Sequence, residues 1–231
     1  MQSATGNYKA GAVVWHGDGR ESAVVNHVLS HPERQRIKNN PAEILATIDQ
    51  WSKDNQILMT IGPDSDRGGL VMELIAESKP KTMAEIGGYI GYSAIKFGSA
   101  LRDVGGSQYI SLEYNAEYAA LAQSLIEFAG LQDFVQIIVG PSATSLAKLA
   151  KRQLKIDLLF IDHEADLYLN DLKLAEEYGL LSSKPSIVAD NICDEKAREY
   201  VAYVEGSYES RTTYYELPTG QIDGIIISRR T

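Results

Sequence analysis

From Gly68 to Val204 the chain alternates amphipathic helical segments with short apolar runs, and this alternation limits its fold more than any other feature. A helical pattern at Gly68–Ser78 sets Leu70, Val71, Leu74 and Ile75 on one face. T-M-A-E-I-G (82–87) then reads as a buried strand, followed by a helix from Ser93. The pattern repeats with strand 108–114, helix 116–128 ending at Gly130, strand 134–140, helix 142–153, strand 156–162, helix 168–180, strand 186–191 and helix 195–204. Five strand-then-helix units require right-handed crossovers, a parallel sheet and helices on both of its faces. The ending differs. Two strands, 208–217 and 223–230, flank a Pro-Thr-Gly turn region and predict an antiparallel hairpin, where a dinucleotide dehydrogenase would continue with further strand-helix units. The fold class expected is α/β, Rossmann-like, with a seven-stranded, mostly parallel sheet.

At 231 residues one domain suffices. Residues 1–20 carry four of the nineteen glycines and no apolar periodicity, so they are expected to be a flexible extension, with one domain over 21–231. Two cover helices are predicted before the alternation, Ser22–Ser30 and Pro41–Asp54, the second with Asn40 as N-cap, Pro41 at N1 and Glu43 at N3. A net charge of -9 works against sequence-independent attraction to nucleic acid or anionic lipid, which leaves small molecules or proteins as partners. Cys193 is the only cysteine, so no intrachain disulfide forms, and it is read as a packing residue. With no signal-like start and no long apolar run, the expectation is a cytoplasmic protein with no membrane contact.

In an open parallel sheet, ligands bind beyond the carboxyl ends of the strands. There the chain places Glu85, Gly87, Tyr89 and Gly91 as E-x-G-x-Y-x-G, near a nucleotide-binding turn but with tyrosine at the middle glycine. Positive φ, close helix packing or a ligand along the main chain would each account for these glycines. Glu113 ends the second strand, 28 residues after Glu85, where a carboxylate can accept from both hydroxyls of a ribose or simply be solvated. Ser142 is read as the cap of the next helix, able to serve an adenine edge or only the helix. Asp162, Asp190 and Asn191 end the fourth and fifth strands. Such hard oxygen donors suit Mg²⁺ or Ca²⁺, although aspartates there also start helices. His163 sits in the cleft, while His16, His27 and His31 share no metal-ligand spacing and receive no role. A nucleophile elbow, a phosphate loop and a zinc pattern are absent from the sequence.

The segments E-I-G-G-Y-I-G-Y-S-A, S-L-E-Y-N, F-A-G-L-Q-D, F-I-D-H, A-D-N and V-E-G-S, within a match from about Gly17 to Arg230, resemble the catechol O-methyltransferase family. The resemblance implies a class I methyltransferase that uses S-adenosylmethionine and Mg²⁺ to methylate one hydroxyl of an aromatic vicinal diol. It implies Met59 and Ile61 on the sulfonium side, Gly87, Tyr89 and Ser93 at the methionine part, Glu113 at the ribose, and Ser142 and His163 at the adenine. Glu85, Tyr114, Ala143 and Asp162 complete the implied cofactor set, and Asp162, Asp190 and Asn191 match the metal ligands. Departures are equally specific. Ala165 stands where the family has its lysine base, Ile57 and Glu164 replace tryptophans of the acceptor pocket, and Glu195 replaces a proline. Glu216 matches, across one inserted residue, the glutamate that holds the second hydroxyl, and is the catalytic residue expected here. These features imply an O-methyltransferase for a catechol-like or other phenolic molecule with an altered pocket. The alternative is a family member that binds the cofactor without transferring its methyl.

Overall fold

The computed structural model describes residues 16–55, 59–62, 67–217 and 220–230. The predicted Ile57 position and most of the Pro-Thr-Gly turn lie outside the described residues. Helices α1 (Arg20–Leu29), α2 (Arg34–Ile37), α3 (Pro41–Asp54) and α4 (Arg67–Ser78) precede strand β1 (Thr82–Ile86). Then follow α5 (Tyr92–Asp103), β2 (Gln108–Glu113), α6 (Ala116–Phe128), β3 (Val135–Val139), α7 (Ser142–Lys151), β4 (Ile156–Ile161), α8 (Tyr168–Glu177), β5 (Leu181–Ala189), α9 (Arg198–Ser207), β6 (Glu209–Glu216) and β7 (Ile222–Arg229).

The strands form one sheet in the order β3-β2-β1-β4-β5-β7-β6. β1 to β5 pair in parallel, and β7 runs antiparallel between β5 and β6. Strand alternation then divides the core. Met83, Tyr109, Val135, Leu158, Phe160, Val188 and Ile225 face the layer holding α1, α3, α4, α5 and α6, whereas Ala84, Ile110, Leu159, Ile187 and Ile226 face α7, α8 and α9. The order in which successive strands are added reverses between the parallel neighbours β1 and β4, which opens a crevice at their carboxyl ends.

Some boundaries move. α1 begins at Arg20, two residues before the predicted start, and the exposed His16 lies edge-on to Tyr118 with ring centroids 6.4 Å apart. β5 starts at Leu181, five residues early, because the β4–β5 register shifts between Ile156 and Leu158. Asn40 caps α3 as expected, its side chain accepting from the Glu43 amide at 3.3 Å. Ser142 does not cap α7. The N-cap is Pro141 and Ser142 is the first helical residue. Cys193 is exposed rather than packed.

Candidate active site

The turn after β1 is dictated by packing. A Cβ on Gly87, at φ +102°, would lie 2.0 Å from the Asp162 carbonyl oxygen, and one on Gly91, at φ +87°, would lie 2.9 Å from Ala122. Only glycine allows the ends of β1 and β4 to approach this closely. Tyr89 holds a left-handed conformation at φ +43° without being glycine. Its amide donates to Glu113 Oε2 at 2.7 Å and its hydroxyl to Glu21 Oε1 at 2.9 Å. The turn is thus tied to the end of β2 and to the first helix.

Glu113 also accepts the Asn115 amide at 2.6 Å through Oε1, and burial raises its carboxyl above the ordinary range. Glu85 is fully buried and accepts from the Ser93 hydroxyl at 2.6 Å and the Tyr109 hydroxyl at 2.7 Å. Burial pushes it up to about 7 against the pull of the Ser111, Ser93 and Tyr109 hydroxyls. Of the other expected cofactor residues, Met59 is 42% exposed, Tyr114 is exposed, and Ser142 and Ala143 are half-buried at the start of α7. Ile61 is different. Its side chain is buried in the core, so only its backbone can face a ligand. His163 Nε2 pairs with Asp171 at 2.9 Å, its ring stacks on Tyr168, and its buried Nδ1 has no partner. An orphaned ring nitrogen beside a glycine turn and a buried carboxylate at the end of β2 suits an adenosine-type cofactor.

Beyond β4 and β5 lies the second cluster. Asp190 is fully buried. Its Oδ1 accepts the Tyr215 hydroxyl at 2.6 Å, and its Oδ2 lies 2.6 Å from Arg67 Nη1. Arg67 also donates through Nη2 to the Thr60 carbonyl at 2.9 Å, and its guanidinium lies 5.0 Å over the Tyr215 ring. Asn191, at φ +53°, donates to Asp223 Oδ2 at 2.9 Å, which fixes its amide and turns Oδ1 away from Asp223. The same Asp223 accepts the amides of Cys193 and Gly224 at 3.2 and 2.8 Å. Asp162 accepts no side-chain hydrogen bond among the described residues; burial and then the Asp190 charge push its carboxyl well up, opposed by Arg67. Burial raises Asp190 too, and Arg67 is the first force against it.

Among the described residues no three His, Cys, Asp or Glu side chains form a metal-holding group. The pair of carboxylates with the amide oxygen of Asn191 nevertheless has the chemistry of a hard-cation site, with Asp162 open and Asn191 oriented by Asp223. Asp190 is the exception, since both its oxygens already have donors.

Glu216 is not brought to this cluster. It is exposed, opposite Ile222 in the register, while its neighbour Tyr215, opposite Asp223, points to the other face and reaches Asp190. Ala165 is buried in a short 3₁₀ turn, with Glu164 and Asp166 exposed beside it. Glu195 lines an open groove of about 500 Å³ with Ile192, Cys193 and Arg198. Arg67, Tyr215, Asp223 and Glu21 were invisible to motif reasoning.

Residues 36–196 match the O-methyltransferase family. The chain is 32% identical over 201 residues to the catechol O-methyltransferase of Bos taurus, covering 86% of this chain and 71% of that one. It is likewise 32% identical over 203 residues to the transmembrane O-methyltransferase homolog of Mus musculus, covering 86% and 76%. No helix among the described residues is long and apolar enough to cross a membrane. The fold is similar to that of the O-methyltransferase from Bacillus cereus in complex with SAH, with a TM-score of 0.70 and 19% identity, over 92% of this chain and 97% of that one. With the sheet order, the glycine turn and the strand-end carboxylates in agreement, the chain belongs to the O-methyltransferase family, with catechol O-methyltransferases among its relatives.

Proposed function

We propose that the chain is an S-adenosylmethionine-dependent O-methyltransferase for a catechol-like or other phenolic small molecule, assisted by a divalent cation such as Mg²⁺. The observation that carries this reading is the placement of Asp162 beside the β1 turn, with Asp190 and Asn191 at the end of the neighbouring β5, next to the switch point of the sheet. The cofactor supplies a methyl group on a sulfonium, and a cation at Asp162, Asp190 and Asn191 would acidify a hydroxyl held there. On this reading Glu113 would orient a ribose, His163 would meet an adenine, and Met59 and Ile61 would line the sulfonium side; the buried, unpartnered Nδ1 of His163 and the partly buried turn contacts of Glu113 support it. The protein's part is placement and exclusion of water, because bringing a sulfonium and a phenolate together neutralises both.

Ala165 supports a second reading. A buried methyl group takes no proton, so cofactor binding without methyl transfer is the alternative. Isothermal calorimetry with S-adenosylmethionine, then S-adenosylhomocysteine release over a panel of catechols and larger phenols with and without Mg²⁺, separates the two. Binding with turnover supports the enzyme; binding with no turnover on any phenol supports the second reading, and no binding rejects both.

A further inference from the structure

We propose that Arg67 is a built-in cation of this site, a positioning residue that competes with a divalent ion for Asp190 and ties that carboxylate to the Met59–Gly62 segment. The inference rests on the reading of Asp162, Asp190 and Asn191 as the cation-binding set. Its basis is geometric. Arg67 Nη1 lies 2.6 Å from Asp190 Oδ2, Nη2 donates to the Thr60 carbonyl at 2.9 Å, and the guanidinium covers the Tyr215 ring. The arginine side chain is only 19% exposed and the Asp190 side chain not at all, so solvent screens the pair poorly.

Asp162, Asp190 and Asp223 bring negative charge to the cluster, and the Arg67 guanidinium offsets one unit of it. A divalent ion arriving there meets a weaker attraction and a like charge held against one of its ligands. Asp190 cannot turn fully toward a metal without loosening either Arg67 or Tyr215. Because Arg67 also holds Thr60, occupation of the cation site and the position of the segment carrying Met59 and Ile61 are linked through one side chain. The linkage is reciprocal: whatever orders that segment around a ligand strengthens the grip of Arg67 on Asp190, and whatever draws Asp190 to a metal weakens it.

The test is Mn²⁺ binding to the full chain, followed by the loss of the free-ion EPR signal, in the parent, Arg67→Met and Arg67→Lys. Arg67→Met is expected to bind Mn²⁺ on the order of tenfold more tightly or better, because a like charge leaves the site. Arg67→Lys, which keeps that charge, should stay near the parent. Binding by the methionine variant alone supports the proposal in its strongest form. Unchanged or weaker binding by Arg67→Met overturns it, as does absence of binding in all three. Should the methionine variant fail to fold, Mg²⁺ titration of the parent with the Arg67 side-chain Nε–H resonance as readout decides: the signal must shift as the site fills, and a static signal at saturation overturns the proposal. S-adenosylmethionine calorimetry on the same parent sample tells a failure of this inference from a failure of the methyltransferase reading, since neither metal-binding readout requires turnover.

Discussion

Tyr89 donates its hydroxyl to Glu21 at 2.9 Å, so the residue at the centre of the glycine-rich turn is held by the first helix of the chain. Glu21 is 3% exposed and also accepts the Gly17 amide at 2.7 Å and, at 3.3 Å, the hydroxyl of Tyr118, whose ring meets Tyr89 edge-on. Removing the carboxylate leaves several donors without their acceptor, at about 1–3 kcal/mol for each group that stays buried. Glu21→Ala is therefore expected to lose about 2–4 kcal/mol in urea unfolding and Tyr89→Phe about 1 kcal/mol. The double variant should lose less than the sum, and strict additivity would show that the bond contributes nothing.

Glu85 predicts a pH dependence. Its carboxyl is raised by burial to about 7 in the folded chain, against an ordinary value of 4.5. The fold therefore favours the protonated form. Its contribution is fully present below the unfolded value and is lost as pH rises from about 4.5 through about 7. Glu85→Gln, neutral throughout, should match the parent at pH 4.5 and exceed it above pH 8 by roughly 1–3 kcal/mol. Chemical denaturation across that range checks this, and a constant difference between the two proteins would rule it out.

Two glycines with similar φ angles separate backbone strain from steric collision. Gly105, at φ +85°, has nothing within 4 Å of an added Cβ, so Gly105→Ala should cost about 1 kcal/mol. Gly87, at φ +102°, would drive a Cβ to 2.0 Å from the Asp162 carbonyl oxygen, which belongs to backbone and cannot swing aside. Gly87→Ala should cost about 3 kcal/mol or more and weaken ligand binding at both strand ends. Equal melting temperatures for the two variants would contradict the close approach of β1 to β4.

Periodicity made the sheet and its two helical layers legible, because alternation along strands such as Met83–Ala84 and Leu158–Leu159 divides the apolar residues between them. The Asn40 cap was equally legible, as a local side-chain-to-backbone bond. Ser142 was misread as a cap because Pro141, at φ -55° and ψ 137°, already supplies the extended residue before the helix. Arg67 and Asp190 are 123 residues apart, and no local pattern reports so distant a partner. The glycine turn and the strand-end carboxylates therefore showed in the sequence, while the contacts of Arg67 and Tyr215 with Asp190 did not.

Strand parity yields the last prediction. Glu216 was the glutamate expected at the acceptor, but a shift of one residue along a strand moves a side chain to the opposite face. In β6 the residue that faces Asp190 is Tyr215, with its hydroxyl 2.6 Å from Oδ1 and its ring under Arg67. Glu216 is exposed and belongs to the other face. On the methyltransferase reading, Glu216→Gln should leave turnover within about twofold, as an exposed side chain without site contacts ordinarily does. Tyr215→Phe removes a short bond to a buried carboxylate and leaves Asp190 Oδ1 short of a donor, which should lower kcat/KM about tenfold or more at an unchanged affinity for S-adenosylmethionine. The ratio of the two effects, read from S-adenosylhomocysteine release on one phenolic acceptor, is the measurement. A larger loss in Glu216→Gln than in Tyr215→Phe would mean that the hairpin takes a different register when the acceptor is bound.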